Sequence, residues 1–290
     1  MTAAAPGEKL TIYAAGLVQG ITLVTFPAAS TIFTASAWYN LSAGQYGIMF
    51  VPQVVAAIAA ALGGAGLAGR LEWKRVYLGG LTANLASMGL LIVSRFITGD
   101  HDVAFALLLA ATACLGLGFG LTVPAVNTFT AEFHPGAVDR SVLVLNALLG
   151  LGTALAPVFV AIFVGLGAWV GLPILAAILL VARIAISARL PLRVLAGSDR
   201  ATTRRPSHVP ARFWVFGAFA VLYGFCETMN GNWSQIDLTR LHISATTASL
   251  TLTVFWATVT AGRVVFAAVQ RWVPSRVAYH VLPFVLAGSF

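Results

Sequence analysis

One acidic residue stands where chemistry is least expected. The stretch Arg212 to Asp237 reads RFWVFGAFAVLYGFCETMNGNWSQID and is apolar over most of its length. About 20 such residues suffice to cross a bilayer as a helix. Glu227 lies inside that stretch. A carboxylate at membrane depth is costly unless it faces a water-filled cavity or a partner, which makes it a functional-site candidate. At helical spacing Tyr223, Glu227, Asn230 and Ser234 share one face, a polar stripe on an apolar rod. The chemistry such a stripe offers is binding a proton or a polar solute. The alternative is a carboxyl hydrogen-bonded to neighbouring helices only to fix packing.

Further polar residues sit inside apolar runs. Gln19, Thr22, Phe26 and Ser30 share a face of the first run, and Gly16 and Gly20 offer a small-residue surface on another. In ACLGLGFGLTVPAVNTF, Gly116, Gly120, Val123 and Asn127 share a face, and Pro124 predicts a kink. Gly150, Gly152 and Ala154 form a smooth surface before Pro157. Asn84 reads as interhelical glue. Gln19, Asn127 and Asn230 are expected to line a path to Glu227.

Three patterns are set aside. Gly64, Gly66 and Gly69 spell G-x-G-x-x-G, but a long apolar helix precedes them where a dinucleotide site needs a strand. Close helix packing is the expected role. Asp100, His101 and Asp102 lack the ligand pattern of a metal site and read as a solvated loop. Cys114 and Cys226 each lie in a span and imply no disulfide framework. No nucleophile–base pair, metal cluster or phosphate loop emerges. The expectation is a non-enzyme without cofactor or metal.

The elements that position these residues follow from composition. Of 290 residues, 59% are hydrophobic and 9% charged, against about 25% charged in a soluble domain. Membrane spans are expected at 11–35, 44–69, 76–94, 103–129, 142–166, 168–188, 212–236 and 247–270, with a ninth from 277. The net charge of +8 could suggest nucleic acid, but its placement argues against it. With the N-terminus cytoplasmic, Lys9, Arg70, Lys74, Arg75, Arg140, Arg183, Arg189, Arg193, Arg200, Arg204, Arg205, Arg212, Arg263, Arg271 and Arg276 lie inside or near the inner face. Only Arg95 and Arg240 lie outside, a strong positive-inside bias, and that orientation is the one expected. The expected partners are lipid, a small solute and protons, in an inner or plasma membrane. Arg263, near the inner end of its span, is expected to snorkel.

Residues 189–211 are rich in Arg and Pro and read as a cytoplasmic linker. The loops Arg70–Val76 and Arg271–Val277 share R-x-x-x-x-R-V, an offset of 271 − 70 = 201. The same offset relates span starts 11 and 212, and 76 and 277. The expected organisation is a six-span half (1–188), the linker, and a partial second half (212–290), with roughly 100 further residues implied by the two-half repeat.

Six spans, a basic linker, a second half and a basic hairpin after span 2 resemble the major facilitator superfamily. The resemblance implies two helical bundles rocking around a midplane site, and a gating loop at Arg70, Lys74 and Arg75. The family's loop motif resembles G-x-x-x-D-R-x-G-R-R/K; here Gly69 replaces its Asp and Glu72 its second Gly. Within the superfamily, Tyr223-Gly224, Glu227, Gly231 and Trp233 resemble span 7 of the fucose–proton symporter group. Asn127 and Leu145-Asn146 resemble its spans 4 and 5. That likeness implies a sugar-like solute moved with a proton, with Asn230, Asn232 and Trp233 as contacts, although Asn232 and Trp233 fall off the Glu227 face. Val123 stands where the group carries an acid, leaving Glu227 as the intramembrane proton site. The runner-up readings are a drug/proton antiporter, whose span 5 motif Gly152, Ala154 and Pro157 echo, and a truncated, non-transporting membrane protein.

Overall fold

The computed structural model describes residues 4–194 and 210–269, with residues 272, 277, 280, 281, 284, 285 and 288. Linker residues 195–209, most of the expected ninth span and most of the second R-x-x-x-x-R-V motif, including both its arginines, lie outside the described residues. Among the described residues every regular element is a helix.

The chain punctuates its helices by familiar means. Helix α1, Pro6–Ala28, opens with proline in its first turn, where the missing N–H costs nothing. Glu8 reaches back to accept from the backbone N–H of Ala5 at 2.8 Å. Pro27 closes α1; after a break at Ala29, α2 runs Ser30–Thr34. Ser42 and Gln45 form a reciprocal capping box on α3, Ala43–Ile48. Helix α4 is Val51–Leu71 and α5 is Trp73–Ser94. Glu72 alone separates them, at φ 70°, a left-handed setting that lets the chain reverse in one residue. Asp100 caps α6, His101–Phe133, by accepting from the N–H of Val103. Helices α7, Val138–Gly165, and α8, Gly171–Arg189, follow, then α9, Ala211–Arg240, and α10, Ala245–Val269.

Seven of these segments are long and apolar enough to cross a membrane. They correspond to expected spans 1–6 and 8. Helix α9 has the length, 30 residues, but not the apolarity. Glu227, Asn230, Asn232, Ser234, Gln235 and Asp237 crowd its second half. Large apolar side chains face outward along α4 (Val51, Val55, Ile58, Leu62), α8 (Ile178, Val181) and α10 (Val254, Val265). In water such a surface would aggregate; against lipid it costs nothing. The chain is an all-α membrane protein.

Small residues set how closely the helices pack. Helix α1 crosses α7 at Gly20 and Gly152. A Cβ on Gly20 would meet the carbonyl oxygen of Leu149, and one on Gly152 that of Leu17. Gly116 and Gly120 bring α6 onto the backbone of Gln53 and Ala57 on α4 in the same way. Gly66 and Gly69 have nothing within 4 Å of such a Cβ. The close-packing role expected for the G-x-G-x-x-G run is therefore not theirs. Pro124 and Pro157 sit inside continuous helices, and the Pro157 carbonyl accepts from Ser249 of α10 at 3.0 Å.

Lys74 of the α4–α5 hairpin ties down α8. Its Nζ donates to the carbonyls of Ala188 at 2.9 Å and Leu190 at 2.7 Å. These oxygens lie at the helix C-terminus, where the partial charge is negative and the carbonyls lack intrahelical donors.

Candidate functional site

The site begins with Glu227 on α9. Its Oε1 accepts from Arg263 Nη2 at 3.2 Å, and the same nitrogen donates to the Tyr223 hydroxyl at 3.1 Å. Tyr223 and Glu227 are one helical turn apart, so a single guanidinium from α10 spans both. The Glu227 side chain is 24% exposed and Arg263 39%; the pair faces an opening and is not sealed in the core. Arg263, for which snorkelling is the sequence expectation, turns toward the acid. An apolar environment raises the cost of an isolated charge, and mutual pairing is what relieves it.

The pair borders a cavity of about 340 Å³. Helix α9 adds Thr228 and Asn232, α7 adds Asn146 and Thr153, and α4 adds Gln53. The other walls are apolar: Leu23, Val24 and Pro27 of α1, Phe119 and Val123 of α6, and Phe50, Val54, Leu149 and Trp256. Val123, where the resembling group has an acid, is part of that wall. A second cavity of about 360 Å³ adjoins the first, lined by Leu143, Asn146, Ala147, Arg263 and Val264. Asn146 and Arg263 belong to both.

The cavity is roofed where α9 meets the break between α1 and α2. The Tyr46 hydroxyl donates to the Asn232 carbonyl at 3.0 Å. Its ring packs edge-on against Trp233, with centroids 5.3 Å apart. Gln235, 2% exposed, aims its amide at the break. An amide oxygen there would face two carbonyls, so Nε2 takes the position. It lies 3.1 Å from the Pro27 carbonyl, 3.2 Å from that of Ala28 and 2.6 Å from Ser30 Oγ. Trp233, expected as a solute contact, is part of this roof.

The expected path residues divide. Tyr223 and Glu227 come together. Gln19 is away from the cavity, buried between α1 and α5, where its Oε1 accepts from Asn84 Nδ2 at 2.7 Å. Asn127 donates to the Val123 carbonyl and Asn230 to the Cys226 carbonyl, each within its own helix. Neither borders the cavity. Asn232, placed by the helical wheel off the Glu227 face, does border it. Sequence reasoning missed Arg263 as the partner of Glu227 and Gln235 as part of the roof. The missed signal was an acid inside an apolar run, which calls for a basic partner on another helix.

Of the basic hairpin, Lys74 is engaged with the end of α8, and Arg70 lies in the last turn of α4. In the α5–α6 loop, Asp100 caps α6 and His101 Nε2 lies 3.0 Å from Gln45 Nε2. No group of three metal-ligating side chains occurs among the described residues. Compared with protein-family models and with curated proteins, the chain matches none.

Proposed function

We propose that this chain is a secondary transporter that carries a small solute across a cytoplasmic membrane by alternating access. The arrangement would be of the major facilitator type, with Glu227 as the proton site. The observation that carries the reading is the Glu227–Arg263 pair bordering a cavity built from helices at both ends of the sequence. A charge pair kept at membrane depth is expensive to hold and is characteristically found on proton and substrate paths. Placement of the site between two sets of helices suits a mechanism in which one set rocks against the other.

With the N-terminus cytoplasmic, the roof formed by Tyr46, Trp233 and Gln235 is the outer gate, and this is an outward-closed state. Asn127 and Asn230 satisfy their own helices, so a sugar-like solute rests on the family resemblance alone. The test is uptake into proteoliposomes under an inward proton gradient. Glu227→Gln should abolish gradient-driven uptake while the protein remains folded and monodisperse. Uptake kinetics unchanged across pH in the wild type would overturn the proton role.

A further inference from the structure

The charges at the cavity are unequal in kind. Glu227 can be neutralised by a proton, but the guanidinium of Arg263 stays charged at any physiological pH. Among the described residues, the ionisable groups facing Glu227 are Arg263 from α10 and Tyr223 from its own helix. The cavity walls from α1, α4, α6 and α7 contribute no charge, only Asn146, Thr153 and Gln53 among apolar side chains. The adjoining cavity, which Arg263 also lines, holds no acid either. Protonating Glu227 therefore leaves a permanent cation without a counter-charge among the described residues that line the site.

We infer that the cavity binds a small monocarboxylate together with one proton, Arg263 exchanging the Glu227 carboxylate for that of the ligand. The inference rests on the transport reading for its physiological use, but not for the binding itself. The balance is simple. Before binding, Glu227 is −1 and Arg263 +1. Afterwards Glu227 is neutral, the ligand is −1 and Arg263 remains +1. No covalent bond changes except the new carboxyl O–H. The site is neutral in both states, whereas a proton alone or an anion alone would leave one net charge beside largely apolar walls. That asymmetry couples the two ligands. A guanidinium fork suits a carboxylate bidentately. The apolar walls at Phe119, Leu149 and Trp256 suit a short aliphatic or single-ring body, and the volume lies at the small end for ligand sites. A neutral polyol would leave the cation unpaired, and a dianion would overcompensate it.

The experiment uses the full chain in lipid nanodiscs. Equilibrium binding of acetate, isobutyrate and benzoate is measured from pH 5 to 8, with benzyl alcohol and benzylammonium as neutral and cationic counterparts of benzoate. Proton uptake on binding is followed in weak buffer. At least one carboxylate should bind with uptake of one proton, and its affinity should fall about tenfold per pH unit on the alkaline limb. Benzyl alcohol and benzylammonium should bind far more weakly than benzoate. Glu227→Gln, fixed in the neutral form, should keep carboxylate binding but lose proton uptake and pH dependence. Arg263→Gln should lose binding throughout, and Arg263→Lys should recover part of it. Binding of none of the carboxylates, binding without proton uptake, or pH-dependent binding by Glu227→Gln would each overturn the inference. Coupled binding without translocation in vesicles would overturn the transport reading and leave this one standing. Proton-driven uptake of a neutral solute without carboxylate binding would do the reverse.

Discussion

Replacing Gln235 by leucine should unlatch the cavity roof. The side chain is 2% exposed, and its Nε2 lies within hydrogen-bond reach of the carbonyls of Pro27 and Ala28 and of Ser30 Oγ. Leucine keeps most of the volume and removes both N–H donors. Leaving a buried carbonyl without its donor costs about 1–3 kcal/mol. Some of that will be recovered where water reaches the break, so a net loss of about 2 kcal/mol for the closed state is reasonable. Two ties remain: the Tyr46–Asn232 hydrogen bond and the edge-on Tyr46–Trp233 contact, the latter worth about 0.5–1.5 kcal/mol. The roof should therefore loosen without being lost. A shift of 2 kcal/mol changes the open-to-closed ratio about 30-fold, given that 1.4 kcal/mol is a factor of ten. The assay is thiol labelling of Thr153→Cys, a buried position lining the cavity, after replacing Cys114 and Cys226 by serine. An impermeant maleimide is added on the side of the membrane that carries the α5–α6 loop. Gln235→Leu should raise the labelling rate at least tenfold, and Gln235→Glu, which cannot donate when ionised, should raise it too. An unchanged rate in a folded Gln235→Leu protein would refute the latch.

Three further outcomes follow from the packing. Gly20→Leu would drive a side chain into the backbone of α7 and should lower thermal stability, overpacking costing about 1–3 kcal/mol. Gly89→Ala, with nothing within 4 Å of the added carbon, should be neutral or gain up to about 1 kcal/mol in helix propensity, and equal melting of the two variants would contradict the close α1–α7 contact. Lys74→Met removes both hydrogen bonds to the end of α8 and should cost about 1–2 kcal/mol, as bonds from a charged donor to helix-end carbonyls do; hydrogen exchange at 186–190 should rise first. Burial holds the phenol of Tyr39, in the α2–α3 loop, above its ordinary 10.0, against the opposing pull of Ser94 and Arg95. Its stabilisation should be intact below pH 10 and fade as pH rises beyond, and Tyr39→Phe should flatten that alkaline limb of the denaturation profile.

The sequence was legible where a local rule suffices. Apolar runs of 19 to 33 residues can hardly be anything but buried or lipid-facing helices, and seven of them appear near the expected positions. Proline, serine and aspartate mark the starts of α1, α3 and α6 by capping chemistry that needs only neighbouring residues. Glu227 stood out because one acid in an apolar run is a local anomaly. The helical wheel was a poorer guide to the site. It grouped Asn230 with Glu227 and excluded Asn232, whereas Asn230 satisfies its own helix and Asn232 reaches the cavity. An amide can bond its own backbone one turn back, and no periodicity rule reports that choice.

By itself, the sequence determined the class of protein, its helices and the one acid that needs an explanation, since hydropathy, capping and charge cost all act over a few residues. Which side chains meet was decided only by tertiary structure. Glu227 and Arg263 are 36 positions apart, Gln235 and Ser30 205, and the glycines that set how closely α1 and α7 approach, Gly20 and Gly152, lie on helices far apart in the chain. Such pairings depend on how two helices rotate about their axes as they pack, and that angle is fixed by the sum of many small contacts rather than by any one residue's type.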